Sequence, residues 1–89
     1  MKWEVSFSKE AVKFLSQSKV KEDTVVDKVM LAIKKLQGED VNIDIKKLRG
    51  DWEGFYRIRY GKLRIILEFE FESYRVYIDR IDWRGGIYK

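Results

Sequence analysis

At eighty-nine residues, 45% hydrophobic and 38% charged, the chain has enough apolar content for one small folded domain and lacks the composition of a disordered one. It contains no Cys, which excludes a disulfide framework or a thiolate metal site, and no His, the commonest metal ligand and general base. The net charge of +4 lies wholly in residues 46–89, which hold eleven Lys and Arg against seven acids and include all seven arginines.

Arginine matches the geometry of phosphate in a bidentate way that lysine does not. A basic, Arg-rich half interleaved with Trp and Tyr therefore points to nucleic acid before membrane. No apolar run approaches the roughly 18 residues of a membrane span. Met1 leads straight into a strand pattern instead of a signal peptide, so a cytoplasmic location is expected.

In chain order, Trp3 to Phe7 alternates apolar and polar residues and reads as a strand. Ser8 caps a helix through Ser16 or Gln17, with Ala11, Val12, Phe14 and Leu15 as its apolar stripe. A second helix runs from Lys21 to Gln37, with Val25, Val26, Val29, Met30, Ile33 and Leu36 at helical spacing. Gly38 ends it as a left-handed C′ residue after Lys34 and Lys35, which favour the helix dipole. Residues 42–52 read as a connection carrying Lys46, Lys47 and Arg49.

Residues 54–71 then write out a β-hairpin. Gly61-Lys62 suits a two-residue type II′ loop, which takes Gly first. That loop pairs Tyr60 with Leu63, Arg59 with Arg64, Ile58 with Ile65, Arg57 with Ile66 and Tyr56 with Leu67. Tyr56, Ile58, Tyr60, Leu63, Ile65 and Leu67 then share one apolar face. The opposite face carries Arg59 directly across from Arg64, with Arg57 a diagonal step away. Opposed like charges destabilise a sheet, so the cluster invites a compensating anion, and a phosphate would supply one.

A turn at Glu72-Ser73 leads into a last strand from Tyr74 to about Ile81, pairing Glu70 with Arg75, Phe69 with Val76 and Leu67 with Ile78. Continued unbroken, this register would turn Arg80 into the core, so a bulge or strand end is expected near Asp79. The whole chain, residues 1–89, thus reads as a single α+β domain of order β-α-α-β-β-β. Two N-terminal helices pack on one face of a curved antiparallel sheet.

Three segments carry a family resemblance: Lys47-Leu48-Arg49-Gly50; Gly54-Phe55-Tyr56-Arg57-Ile58-Arg59-Tyr60-Gly61-Lys62-Leu63-Arg64-Ile65-Ile66; and Arg84-Gly85-Gly86-Ile87-Tyr88. In that order, and over nearly the whole chain, they resemble the RelE/ParE superfamily of bacterial and archaeal toxins. The resemblance implies a microbial RNase-like fold and a toxin of a type II toxin–antitoxin system, held inactive by a cognate antitoxin. RelE-type members cut messenger RNA in the ribosomal A site; ParE-type members act on DNA gyrase.

Residue by residue, the resemblance carries catalytic roles to Arg57, Arg59, Arg64, Arg84 and Tyr88. Some members have Lys at the positions of Arg57 and Arg59. Many have His immediately before the C-terminal Arg, where this chain has Trp83.

Metal-free RNA cleavage uses the 2′-hydroxyl as in-line nucleophile on the adjacent phosphate. Cations must hold the developing charge, a group must take the hydroxyl proton, and the 5′-oxygen must receive one. The four arginines supply the first need, commonly the largest catalytic contribution. Arginine is a poor proton acceptor, so that role falls to Tyr88, whose phenol the guanidiniums would lower from about 10. The leaving-group proton has several possible sources, among them Lys62, water and the ribosome. Lys46, Lys47, Arg49 and Lys62 are candidate RNA-binding residues. No cofactor or metal is expected.

The residues also admit plainer readings. Arg57, Arg59 and Arg64 can pair across strands with Glu68, Glu70 or Glu72. Tyr88 can be a packed aromatic and Arg84 a solvated one. Lys46, Lys47 and Arg49 can be a solvated loop, and Trp52 and Trp83 either stack on bases or pack. Two alternatives to the messenger-RNA endonuclease remain: a ParE-like gyrase inhibitor and a non-catalytic nucleic-acid-binding module.

Overall fold

A computed structural model describes residues 2–83 of the chain. Its elements are β1 (Glu4–Phe7), α1 (Lys9–Gln17), α2 (Glu22–Leu36), β2 (Asp44–Lys47), a 3-10 turn (Gly50–Trp52), β3 (Tyr56–Tyr60), β4 (Leu63–Glu70) and β5 (Arg75–Trp83). The five strands form one sheet in the order β1-β5-β4-β3-β2, with β1 parallel to β5 and every other pair antiparallel. The two helices cover one face, which is the α+β arrangement expected from the sequence.

Ser8 caps α1, its side-chain oxygen accepting the Ala11 N–H at 3.0 Å. Ala11, Phe14 and Leu15 turn inward, but Val12 is 54% exposed. The reason is angular: residues 11, 14 and 15 cluster within one arc of the helix, and residue 12 stands about 100° from its centre. In α2 the buried positions are Val25, Val29, Ala32 and Ile33. Gly38 follows with φ +98°, the left-handed conformation that closes the helix.

The β3–β4 ladder has the register expected, from Tyr56 opposite Leu67 to Tyr60 opposite Leu63. Gly61 has φ +59°, and no other residue of that turn has positive φ, as a type II′ loop requires. Ile58, Ile65, Leu67, Val76 and Ile78 are at most 1% exposed and form one core with buried residues of both helices. Burying each of these side chains contributes about 1.5–3 kcal/mol.

Four features depart from the sequence reading. The sheet is mixed and not wholly antiparallel, because β1 docks parallel to β5 at its edge. Residues 42–52 contain the fifth strand, β2, paired with β3 along the sheet edge. The β4–β5 connection is longer than Glu72-Ser73, taking residues 71–74. Tyr74 closes it at φ +57°, a conformation uncommon for a bulky residue, and sets its ring edge-on against Trp3 at 5.5 Å. The last strand runs on to Trp83.

The irregularity near Asp79 is present. Leu67 pairs with Ile78 and Ile66 with Arg80, so Asp79 is the extra residue of a bulge. Its backbone carbonyl accepts the Ser8 hydroxyl at 2.5 Å, while the Ser8 N–H donates to the Ile78 carbonyl at 2.9 Å. The residue that caps the first helix thus also satisfies the bulged backbone of the last strand.

Candidate nucleic-acid interface

The sheet face away from the helices is organised in rows that cross the strands. One row runs Asp44, Arg59, Arg64, Asp82 from β2 to β5; the next runs Lys46, Arg57, Ile66, Arg80. The rows lie two residues apart along the strands, about 7 Å, and neighbours within a row are one strand spacing, about 4.8 Å, apart. Five cations therefore occupy a small part of one face, with two carboxylates at the ends of a single row.

Asp44 joins two of the arginines. Its Oδ1 accepts from Arg57 Nη2 at 2.8 Å and its Oδ2 accepts from Arg59 Nε at 2.7 Å. The expected compensating anion is thus supplied in part by the chain itself, and not by Glu68, Glu70 or Glu72. Glu70 instead takes the Ser73 hydroxyl, and the Glu4 carboxylate lies 3.4 Å from Arg75 Nε.

Arg64 is held differently. Its Nη1 donates to the carbonyls of Gly61 at 2.7 Å and Leu63 at 3.0 Å, so the side chain folds back over the hairpin turn. The Asp82 carboxylate, in register with Arg64, accepts the Trp83 N–H at 2.8 Å.

Exposure separates the cations. The Arg59 side chain is 52% exposed and that of Arg57 only 15%. The buried Nε of Arg57 has no partner among the described residues. An unpaired buried donor is costly. Ile66, beside Arg57 in its row, is fully buried although its neighbours on that face, Glu68 and Glu70, are exposed.

The other candidates fall in different places. Lys46 joins the arginine face opposite Arg57. Lys47 pairs with Tyr56 and so points to the opposite side. Lys46, Lys47, Leu48 and Arg49 line an open groove along the sheet edge, and Lys62 is exposed at the hairpin tip. Trp52 packs edge-on against Phe55 at 5.4 Å, and Trp83 packs at a tilt against Phe14 at 5.6 Å. Arg84 and Tyr88 lie outside the described residues. Among the described residues no group of three or more acidic side chains is arranged to hold a metal ion, and no helix is long and apolar enough to cross a membrane.

Sequence reasoning missed Asp44 and Arg80. The signal for Asp44 was present: Val41, Ile43 and Ile45 alternate with polar residues, a strand pattern that puts Asp44 and Lys46 on one face.

No protein-family model and no curated protein matches the sequence. Solved structures do. The chain is similar to the RelBE2 toxin–antitoxin complex of Mycobacterium tuberculosis, at 26% identity over 93% of this chain and 92% of that one, with a TM-score of 0.61. It is similar to the archaeal RelE–RelB complex of Pyrococcus horikoshii OT3, at 27% identity over 97% and 99%, with a TM-score of 0.59. A YafQ mutant from E. coli shares the fold at 15% identity over 99% and 100%, with a TM-score of 0.67. The chain has the RelE-like microbial RNase fold of these toxins.

Proposed function

We propose that this chain is the toxin of a type II toxin–antitoxin pair, and that it is a metal-independent endoribonuclease cutting messenger RNA on the ribosome. The observation that carries the reading is the row in which the exposed Arg59 opposes the half-buried Arg64, with Arg57 beside it and its Nε unpaired among the described residues. The toxin role is further supported by similarity to toxins solved with RelB antitoxins. A cognate antitoxin is accordingly the first partner.

In the proposed reaction the 2′-oxygen attacks the adjacent phosphorus in line, and the bond to the 5′-oxygen breaks. The products are a 2′,3′-cyclic phosphate and a free 5′-hydroxyl. Arg57, Arg59, Arg64 and Arg84 stabilise the pentacoordinate charge, and the bonds that hold Arg57, Arg59 and Arg64 in place make their share of it effective. Asp44 already shows two guanidinium edges converging on one anion. Tyr88 takes the 2′-hydroxyl proton. The leaving oxygen is protonated from Lys62, another basic group, solvent or the ribosome.

The test is induced expression without the antitoxin, with primer extension on cellular messages. Growth arrest with cuts inside reading frames is expected. Intact messages with blocked supercoiling would replace this reading by gyrase inhibition.

A further inference from the structure

The bulge at Asp79 decides where Arg80 points. On a regular β5, residues 76, 78 and 80 would share one face, and Arg80 would follow Val76 and Ile78 into the core. With Asp79 inserted, Arg80 comes opposite Ile66 and Ile81 opposite the buried Ile65. One extra residue therefore keeps Ile81 in the core and adds a cation to the arginine face. The insertion is built into the fold, because Ser8 supplies hydrogen bonds to the carbonyls of both Ile78 and Asp79.

Arg80 has little else to hold. Its Nε lies 3.7 Å from the Asp79 carboxylate, too long for a hydrogen bond, and its side chain is 54% exposed. Such a pair contributes little. Its row-mate Arg57 stands two strand spacings away, about 10 Å, with the apolar Ile66 between them. Arg57 is turned the other way, to Asp44 on β2, which leaves Arg80 on the β5 side of the apolar floor to take a phosphate of its own. Its own row carries no carboxylate, whereas Arg57 and Arg59 are bonded to Asp44 and Arg64 stands in register with Asp82.

We propose that Arg80 is a further RNA-binding residue, which holds the phosphate neighbouring the one at Arg57, Arg59 and Arg64. This rests on the endoribonuclease reading above. Arg80 binds and positions the strand; it does not take part in the bond changes.

The experiment measures binding of the purified protein to a single-stranded 2′-O-methyl RNA oligonucleotide, which cannot be cleaved, across a salt series. Arg80→Gln keeps the stem beside Ile66 and removes the charge; Arg64→Gln serves as comparator, and thermal melting checks the fold of both. Each variant should bind more weakly at low salt, with the slope of log affinity against log salt reduced by about 0.7 for the lost contact. Arg80→Lys should restore most of the slope. If Arg64→Gln shows the reduced slope while Arg80→Gln matches the parent, the inference is overturned and the endoribonuclease reading stands. A parent protein with no salt-dependent RNA binding overturns both.

Discussion

Arg59 and Arg64 oppose each other across the first hairpin, and their guanidiniums are drawn in different directions. Arg59 reaches outward to Asp44 on β2, and Arg64 folds back onto the Gly61 and Leu63 carbonyls. Two like charges in register are thereby held on one face with their repulsion relieved from outside the pair. A phosphate arriving there meets cations already oriented.

The first prediction separates charge from folding. Arg64→Ala loses two hydrogen bonds to turn carbonyls and removes a like-charged neighbour of Arg59, so stability should change by no more than about 1 kcal/mol. Cleavage should fall about a hundredfold or more, the loss of 2–4 kcal/mol typical of one preorganised transition-state contact. Denaturant melts and single-turnover rates on programmed ribosomes measure the two effects. A variant that melts like the parent and cleaves like it would remove Arg64 from the chemistry.

Asp44→Asn is nearly isosteric and takes away the shared anchor of Arg57 and Arg59. Its ion pairs are partly exposed, so the stability cost should be small, about 0.5–1 kcal/mol. RNA binding at low salt should tighten, because a negative charge has left the face. The plateau rate of single-turnover cleavage should drop, because the two guanidiniums are no longer fixed. An unchanged plateau would mean that substrate alone orders them.

Lys46 and Lys47 are sequence neighbours on opposite sides of an edge strand. Lys46→Ala should weaken RNA binding and flatten its salt dependence, while Lys47→Ala should leave both near the parent values. Equal effects from the two would place the RNA around the sheet edge instead of on the arginine face.

Tyr88→Phe deletes only a hydroxyl. It should slow single-turnover cleavage far more than it weakens ribosome binding, as expected of a proton acceptor. Cleavage at the parental rate would send the search for that acceptor to the ribosome or solvent.

The hairpin was legible in the sequence because two independent signals agreed: Gly61 set the loop, and the alternation of Tyr56 through Leu67 set the faces. The bulge was legible because Arg80 would otherwise have been buried without a partner. Strand β2 was harder to read. Asp44, Lys46 and Lys47 leave Ile45 as its one apolar side chain, a composition common in protected edge strands. Its membership in the sheet depends on hydrogen bonding to β3, which no local preference encodes. Missing β2 also hid Asp44, since a residue assigned to a loop has no face and no cross-strand neighbours.

Strand β1 has one neighbour in the sheet, and it is the last strand among the described residues. Glu4 meets Arg75 and Phe7 meets Ile78, so these contacts form only after residues 75–83 have been synthesised and released from the ribosomal exit tunnel. Pairings so distant in sequence are slow to form. Ser8 likewise waits for Asp79, and Arg80 takes its place only when β5 docks between β1 and β4. A protein proposed to act on translating ribosomes therefore completes its arginine face only once residues 75–83 have left one.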